Sequence, residues 1–150
     1  MPTTLVLAQH HHYCDDLFAD AEGAAAAEDW ERCAERLQRF VDEMNRHFGA
    51  EETILFPAFE QATGMTGGPT QVMRMEHEQM RALLGSLAAA VGRQDVDGFS
   101  GAAQTLLILL QQHNLKEENI LYPMCDQHLD SRAAVGDGLK AAVETLAEAR

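Results

Sequence analysis

Aromatic residues, prolines, cysteines and positive charges are all scarce in this chain of 150 residues. Aromatics are only 6% of the composition and proline occurs four times, while Ala and Leu dominate, which favours long helices over sheet. Eleven Lys and Arg against 24 Asp and Glu give a formal charge of −13. This balance excludes a phosphate-neutralising nucleic-acid surface and disfavours docking on an anionic membrane.

The three cysteines are too few and too scattered for a disulfide framework, and without a CxxC they do not form a thiolate zinc site. We expect Cys14, in particular, to pack in the core. The longest apolar run, 106–110, is far too short to span a membrane. Because the first residues also lack the basic region of a signal peptide, we expect a cytoplasmic protein.

The chain repeats itself at an offset of 66 residues. HFGAEETILFPAFEQ (47–61) and HNLKEENILYPMCDQ (113–127) share seven of fifteen positions. The same offset relates His11 to His77, and so selects the middle one of three consecutive histidines. A unit of this length that occurs twice indicates a duplicated helical hairpin.

Apolar residues recur at helical spacing through four segments, each giving one core-facing seam. The second and fourth seams are expected to continue through Ile54 and Ala58, and through Ile120 and Met124. Thr3 or Thr4, Asp29 and Pro69 suit helix starts, and we expect a kink or a helix end near Pro57 and Pro123. The sequence predicts one all-α domain over 1–150: an up-down-up-down four-helix bundle (5–128) followed by a short fifth helix in the tail (131–150).

Polar residues interrupt each seam at one level. His47 and Glu51, and their repeat equivalents His113 and Glu117, are four residues apart, so each pair shares one helix face. Buried carboxylates are costly unless they are paired or bound to metal. The predicted metal ligands are His11, His47, Glu51, His77, His113 and Glu117. Such a nitrogen and oxygen set suits two ions, iron or manganese, with zinc as a substitute.

The HxxxE…H…HxxxE pattern, with its EExILFP and EExILYP continuations, resembles the hemerythrin HHE cation-binding domain over about residues 5–128. The resemblance implies a non-haem di-iron centre with an oxo or hydroxo bridge. It also implies that the four histidines are terminal ligands, whereas Glu51 and Glu117 bridge. Arg81 stands where oxygen-carrying members have a further His. The remaining set of four His and two Glu is similar to that of the repair-of-iron-centres proteins, which are linked with nitric-oxide stress and iron delivery.

Several functions remain open at this point. The centre could bind or sense oxygen or nitric oxide, donate or store iron in stress repair, act as an enzyme on peroxide or nitric oxide, or only staple the bundle. Ferritin-type oxidation is disfavoured because no Glu-x-x-His occurs at the required spacing. No general base or nucleophile is visible in the sequence, which leaves both enzyme status and catalytic residues open.

The residues beside the predicted ligands are not expected to bind metal themselves. We expect Glu52 and Glu118 to be solvated, because they step off the seams. His10 and His12 are expected at the surface or behind the ligands, and His128 in solvent. Asp15 and Arg81 are repeat equivalents, each four residues after a predicted ligand. Our hypothesis is that Arg81 pairs with Asp15 or Glu118 and controls access to the metal.

Overall fold

The computed structural model describes residues 2–148, with side chains over 2–143. Its helices are α1 (Leu5–Ala26), α2 (Trp30–Ala50), α3 (Phe56–Thr63), α4 (Pro69–Gly92), α5 (Val96–Lys116), α6 (Tyr122–Leu129) and α7 (Ala133–Glu148). Five-residue π-helical turns, Glu51–Leu55 and Glu117–Leu121, join α2 to α3 and α5 to α6 without a break. The described residues therefore form five continuous helices, and the predicted all-α fold is confirmed.

The two hairpins are built alike and pack against each other. In the first, α1 lies against α2; in the second, α4 lies against α5. The hairpins meet where α1 contacts α5 and α2 contacts α4. Helix α1 thus lies beside α2 and α5, and diagonally across the bundle from α4. The fifth helix, α7, packs on α1 and α2.

The second helix of each hairpin begins in the same way. Asp29 and Asp95 precede α2 and α5, and each accepts a hydrogen bond from the backbone N–H three residues on, at 3.2 and 2.9 Å. The residues before them, Glu28 and Gln94, adopt positive φ values of 56° and 52°. Both hairpins therefore use the same tight turn between their two helices.

The N-terminus is fastened to α6 rather than capped by a side chain. Thr4 occupies the N-cap position of α1, but its hydroxyl donates to Oδ2 of Asp126 at 3.0 Å. Thr3 donates in the same way to Oδ1 of Asp130 at 2.9 Å. These bonds fix the start of α1 against the end of α6.

The buried core consists of two apolar clusters with a polar level between them. One fills the end near the α1–α2 and α4–α5 turns and includes Phe18, Leu37, Phe40, Leu84 and Leu106. The other lies beyond the polar level, where α7 covers it, and includes Leu55, Phe59, Leu121, Leu139 and Val143. The polar level is therefore closed off by apolar side chains on both sides.

The seams predicted for the second and fourth helices hold only as far as the π turns. From the last residue of each turn onward, the buried residues include Leu55, Phe59, Leu121 and Cys125 rather than the predicted Ile54, Ala58, Ile120 and Met124. Each π turn adds one residue to the helical turn, which moves the buried face by one position. The turns end just before Pro57 and Pro123, whose missing N–H groups and rings disrupt regular α-helix. The predicted irregularity is thus a π turn in a continuous helix.

The tail helix begins at Ala133, two residues after the predicted start, and its last described residue is Glu148. Residues 149–150 of the predicted tail helix lie outside the described part of the chain. Leu139 and Val143 are buried against the second apolar cluster. Over 2–148, none of the helices combines the length and apolar character that a membrane span requires.

Candidate metal centre

The structure brings all six predicted ligands together at the polar level of the bundle. Their ligand atoms form two groups, each within 4.8 Å: one contains His11, His47 and Glu117, and the other Glu51, His77, His113 and Glu117. All six residues are buried, and both carboxylates are fully buried. Glu51 and Glu117 each begin a π turn, so both turns start at the polar level.

Each histidine directs Nε2 toward the two carboxylates. The contacts are 3.1 Å from His11 and 3.3 Å from His113 to Glu117, and 3.0 Å from His77 and 3.7 Å from His47 to Glu51. Each carboxylate therefore lies between one histidine of the first hairpin and one of the second. Glu117 belongs to both groups of ligand atoms, so its carboxylate is placed to bridge two ions.

The donor set fits a metal better than it fits a hydrogen-bond network. Within the described part of the chain, Oε1 of Glu51, Oε2 of Glu117 and Nε2 of His77 and His113 are buried without a hydrogen-bond partner. His77 Nε2 lies 3.0 Å from Glu51 Oε1, yet without the geometry of a hydrogen bond. Buried polar atoms normally have partners, and these four belong to the residues of one group, whose ligand atoms lie within 4.8 Å of one another. A metal ion among them would satisfy all four.

The outer nitrogen, Nδ1, of each histidine also has a partner. His11 contacts Glu118 at 2.6 Å, His77 contacts Glu52 at 2.7 Å, and His113 contacts Glu76 at 2.8 Å. His47 instead contacts His10 at 2.9 Å. Such partners fix the ring orientation and leave the Nε2 lone pair for a metal.

The prediction that Glu52 and Glu118 are merely solvated is therefore wrong. The π turns rotate both side chains toward the histidine of the opposite hairpin, although Glu118 stays 36% exposed. The repeat contained a signal for this pairing, since residues 52 and 118 are equivalent, as are His11 and His77. Glu52 of the first hairpin therefore contacts His77 of the second, and Glu118 of the second contacts His11 of the first.

Arg81 reaches the edge of the polar level, but not through the predicted partners. Its guanidinium donates two hydrogen bonds of 2.9 Å to Glu52 and one of 2.7 Å to Glu78, and it lies over the ring of Phe48. The prediction of Asp15 or Glu118 as its partner is wrong, because Asp15 lies on α1, diagonally across from α4, and Glu118 contacts His11 instead. Arg81 thus covers the carboxylate that holds His77.

The sequence model of the hemerythrin HHE cation-binding domain matches residues 4–125, a stretch that contains all six residues at the polar level. The chain belongs to this hemerythrin family. A protein of Schizosaccharomyces pombe, described as an uncharacterized hemerythrin-like protein, is 27% identical over 120 residues. The alignment covers 79% of this chain and 58% of that relative, so the chain spans little more than half of the relative's length. No solved structure gives a significant match.

One group at this hemerythrin-like centre was missed in the sequence. The hydroxyl of Tyr122 donates to Oε2 of Glu51 at 2.8 Å and to Oε1 of Glu117 at 3.1 Å. It also lies 3.3 Å from Nε2 of His11 and of His47. Its repeat equivalent is Phe56, so a hydroxyl enters from one hairpin only. This Phe-to-Tyr difference was visible in the repeat, but the displaced seam concealed that both rings point inward.

The buried groups of the polar level differ in the direction of their pKa shifts. Burial lowers the pKa of His47 to about 3, so its imidazole is neutral. Burial acts in the same direction on His113, but the charges of Glu117 and Glu51 outweigh it and raise its pKa to about 9. Burial and the like charge of Glu51 raise the pKa of Glu117. Burial and both carboxylates hold the pKa of Tyr122 well above its usual value, which keeps the phenol protonated.

Proposed function

We propose that this protein is a non-haem di-iron protein whose centre binds or senses oxygen or nitric oxide. The observation that carries the proposal is the convergence of unpartnered buried nitrogen and carboxylate atoms at one level. Every histidine there is held at Nδ1, and its Nε2 faces the carboxylates. The ligand atoms of the four imidazoles and two carboxylates fall into two groups rather than around one point, which favours two ions.

The contacts support one arrangement of the ions. His11 and His47 would hold the first ion, His77 and His113 the second, and Glu51 and Glu117 would lie between them. With two imidazoles and shared carboxylates, each ion keeps open coordination positions, where bound iron would hold a diatomic ligand. Manganese or zinc would fit the same donors, because mixed nitrogen and oxygen sites discriminate poorly by affinity alone.

The rest of the chain adapts the site to a small, uncharged ligand. The two apolar clusters exclude water above and below the polar level. The Tyr122 hydroxyl is the one protein donor aimed at both carboxylates among the described side chains. It holds a proton beside Nε2 of His11 and of His47, close to where bound iron would take its ligand. A diatomic molecule is small enough for such an enclosed site.

Anaerobic iron loading tests the proposal. Metal analysis of the loaded protein should give two irons per chain, and optical spectra should change on addition of oxygen or nitric oxide and revert on its removal. His113→Ala should lose one ion, whereas the control His128→Ala, at an exposed position, should load like the parent. One ion per chain bound by all six side chains would refute the di-iron assignment. Rapid turnover of oxygen, peroxide or nitric oxide would instead indicate an enzyme.

Iron donation is a second candidate, and one observation favours it. Glu118, the outer partner of His11, is 36% exposed, so an ion bound by His11 would lie close to solvent. Mixing the loaded protein with an iron-free acceptor distinguishes the candidates. Transfer of iron to the acceptor faster than to solvent would support donation, and retention of both ions would support ligand binding.

A further inference from the structure

The two hairpins differ in what stands behind the histidine of their second helix. Elsewhere the outer contacts match: His11 with Glu118 has the same geometry as His77 with Glu52. The offset of 66 residues also relates His47 to His113, and His10 to Glu76. One of these ligands is therefore backed by an imidazole and the other by a carboxylate.

Behind His47 stands a chain of two buried residues. His10 Nδ1 lies 2.9 Å from His47 Nδ1, and His10 Nε2 lies 2.8 Å from Oε1 of Glu43. The imidazole planes differ by 6° with centroids 5.1 Å apart, as expected for an N–H···N bond in the ring plane. His10 and Glu43 are each only 4% exposed, so water does not compete for these contacts.

The carboxylate sets the direction of this chain. An ionised Glu43 only accepts hydrogen bonds, so Nε2 of His10 carries the proton. Nδ1 of a neutral His10 then accepts from Nδ1–H of His47. His47 is left with a lone pair on Nε2, the nitrogen that faces the metal position. Glu43 thus selects the metal-binding tautomer of His47 through His10.

The second hairpin lacks this relay. Glu76 contacts Nδ1 of His113 directly at 2.8 Å, and its other oxygen accepts from Lys116. The position equivalent to Glu43 is Leu109. An ionised partner strengthens a histidine as a metal ligand more than a neutral imidazole does, because it favours positive charge on the ring.

We infer that His10 and Glu43 are positioning residues that hold His47 in its metal-binding tautomer and make the ion on His11 and His47 electronically different from its neighbour. The inference rests on the proposed two-ion centre and adds an inequivalence that the near-symmetric ligand set conceals. Neither residue touches a metal position; both act through the ring of His47.

Two variants and one control test this role. His10→Ala removes the relay, whereas His10→Glu/Glu43→Leu places a carboxylate behind His47, as Glu76 stands behind His113, without burying two carboxylates together. The control is His12→Ala, an exposed member of the same histidine triplet. The measurements are iron affinity by chelator competition and Mössbauer spectra of the iron-loaded proteins.

The parent should show two quadrupole doublets of equal area. His10→Ala should weaken binding of one ion by about 10–100-fold and shift one doublet. The double variant should restore affinity and bring the doublets closer together, and His12→Ala should match the parent. If His10→Ala does not fold, the double variant decides alone.

Two results would overturn the inference. One is a single doublet from a parent that holds two irons. The other is a relay variant with the affinity and spectrum of the parent. A parent that does not take up two ions would overturn the proposed function itself, and the inference with it.

Discussion

Metal removal should make the stability of this protein depend on pH in a defined way, because two inner histidines are perturbed in opposite directions. The pKa of His113 is raised from 6.5 to about 9 in the folded chain. Its contribution to stability is therefore fully present below pH 6.5 and is lost as pH rises through about 9. The pKa of His47 is lowered to about 3, so stability falls as pH drops below 6.5. Metal-free protein should be most stable near pH 6.5.

The magnitude follows from the shift at His113. Raising a pKa from 6.5 to about 9 corresponds to about 3 kcal/mol between the two ends of that range. This is a large part of the 5–15 kcal/mol that separates typical folded domains from their unfolded chains. Bound metal keeps the ligands deprotonated, so the loaded protein should show no loss of stability between pH 6.5 and 9. Its stability should fall below pH 6.5, where the histidines of the unfolded chain take up protons.

Urea unfolding followed by circular dichroism, in the presence of a chelator, measures this dependence directly. His113→Gln removes this titrating group and should reduce the loss between pH 6.5 and 9 to the contribution of His11, whose pKa the neighbouring carboxylates also raise. His128→Gln, at an exposed position, should retain the full loss. A flat profile for the metal-free parent would show that the reasoning about His113 is wrong. A slope that persists undiminished in His113→Gln would assign it to another group.

Further substitutions probe the groups around the centre. Glu51→Gln should remove at least one ion from the iron-loaded protein, because an amide is a weaker, uncharged ligand. Glu52→Gln should keep both ions and only weaken their binding, by about 10–100-fold. If both variants lost the same number of ions, the assignment of Glu51 as a ligand would be contradicted. Arg81→Ala should leave two ions but speed reaction of the reduced centre with oxygen or azide in stopped-flow measurements; unchanged rates would exclude a gating role. Tyr122→Phe, which copies Phe56, should destabilise metal-free protein to urea by about 1–3 kcal/mol, and no change would show that the hydroxyl contributes nothing.

The bundle and the polar level could be predicted from the sequence because both follow from helical spacing. Apolar seams place residues by angle, and a duplicated pattern confirms the register without knowledge of the turns between helices. The prediction failed beyond Glu51 and Glu117, where the helices widen into π turns. Proline indicated an irregularity there, but not whether the helix would bend, end or gain a residue. That choice decided that Leu55 is buried in place of Ile54.

The residues behind the ligands were harder to predict, because charged side chains beside a seam are usually solvated. Glu52 and Glu118 contact histidines of the opposite hairpin, so their role depends on packing between segments that are distant in sequence. His10 was left at the surface or behind a ligand, and the structure places it against His47. Its equivalence to Glu76 was a usable signal, since both positions carry a polar group able to hold a ring nitrogen.

The crossing of ligands between the hairpins has a consequence for folding kinetics. Both His/Glu groups draw on the two hairpins, and the contact between His11 and Glu117 closes a separation of 106 residues. A metal ion therefore meets a complete set of ligands only after the hairpins have docked, late on the folding route. Binding that follows the rate-limiting step leaves the folding rate unchanged and slows unfolding. A bound metal would therefore lengthen the lifetime of the folded chain by slowing its unfolding.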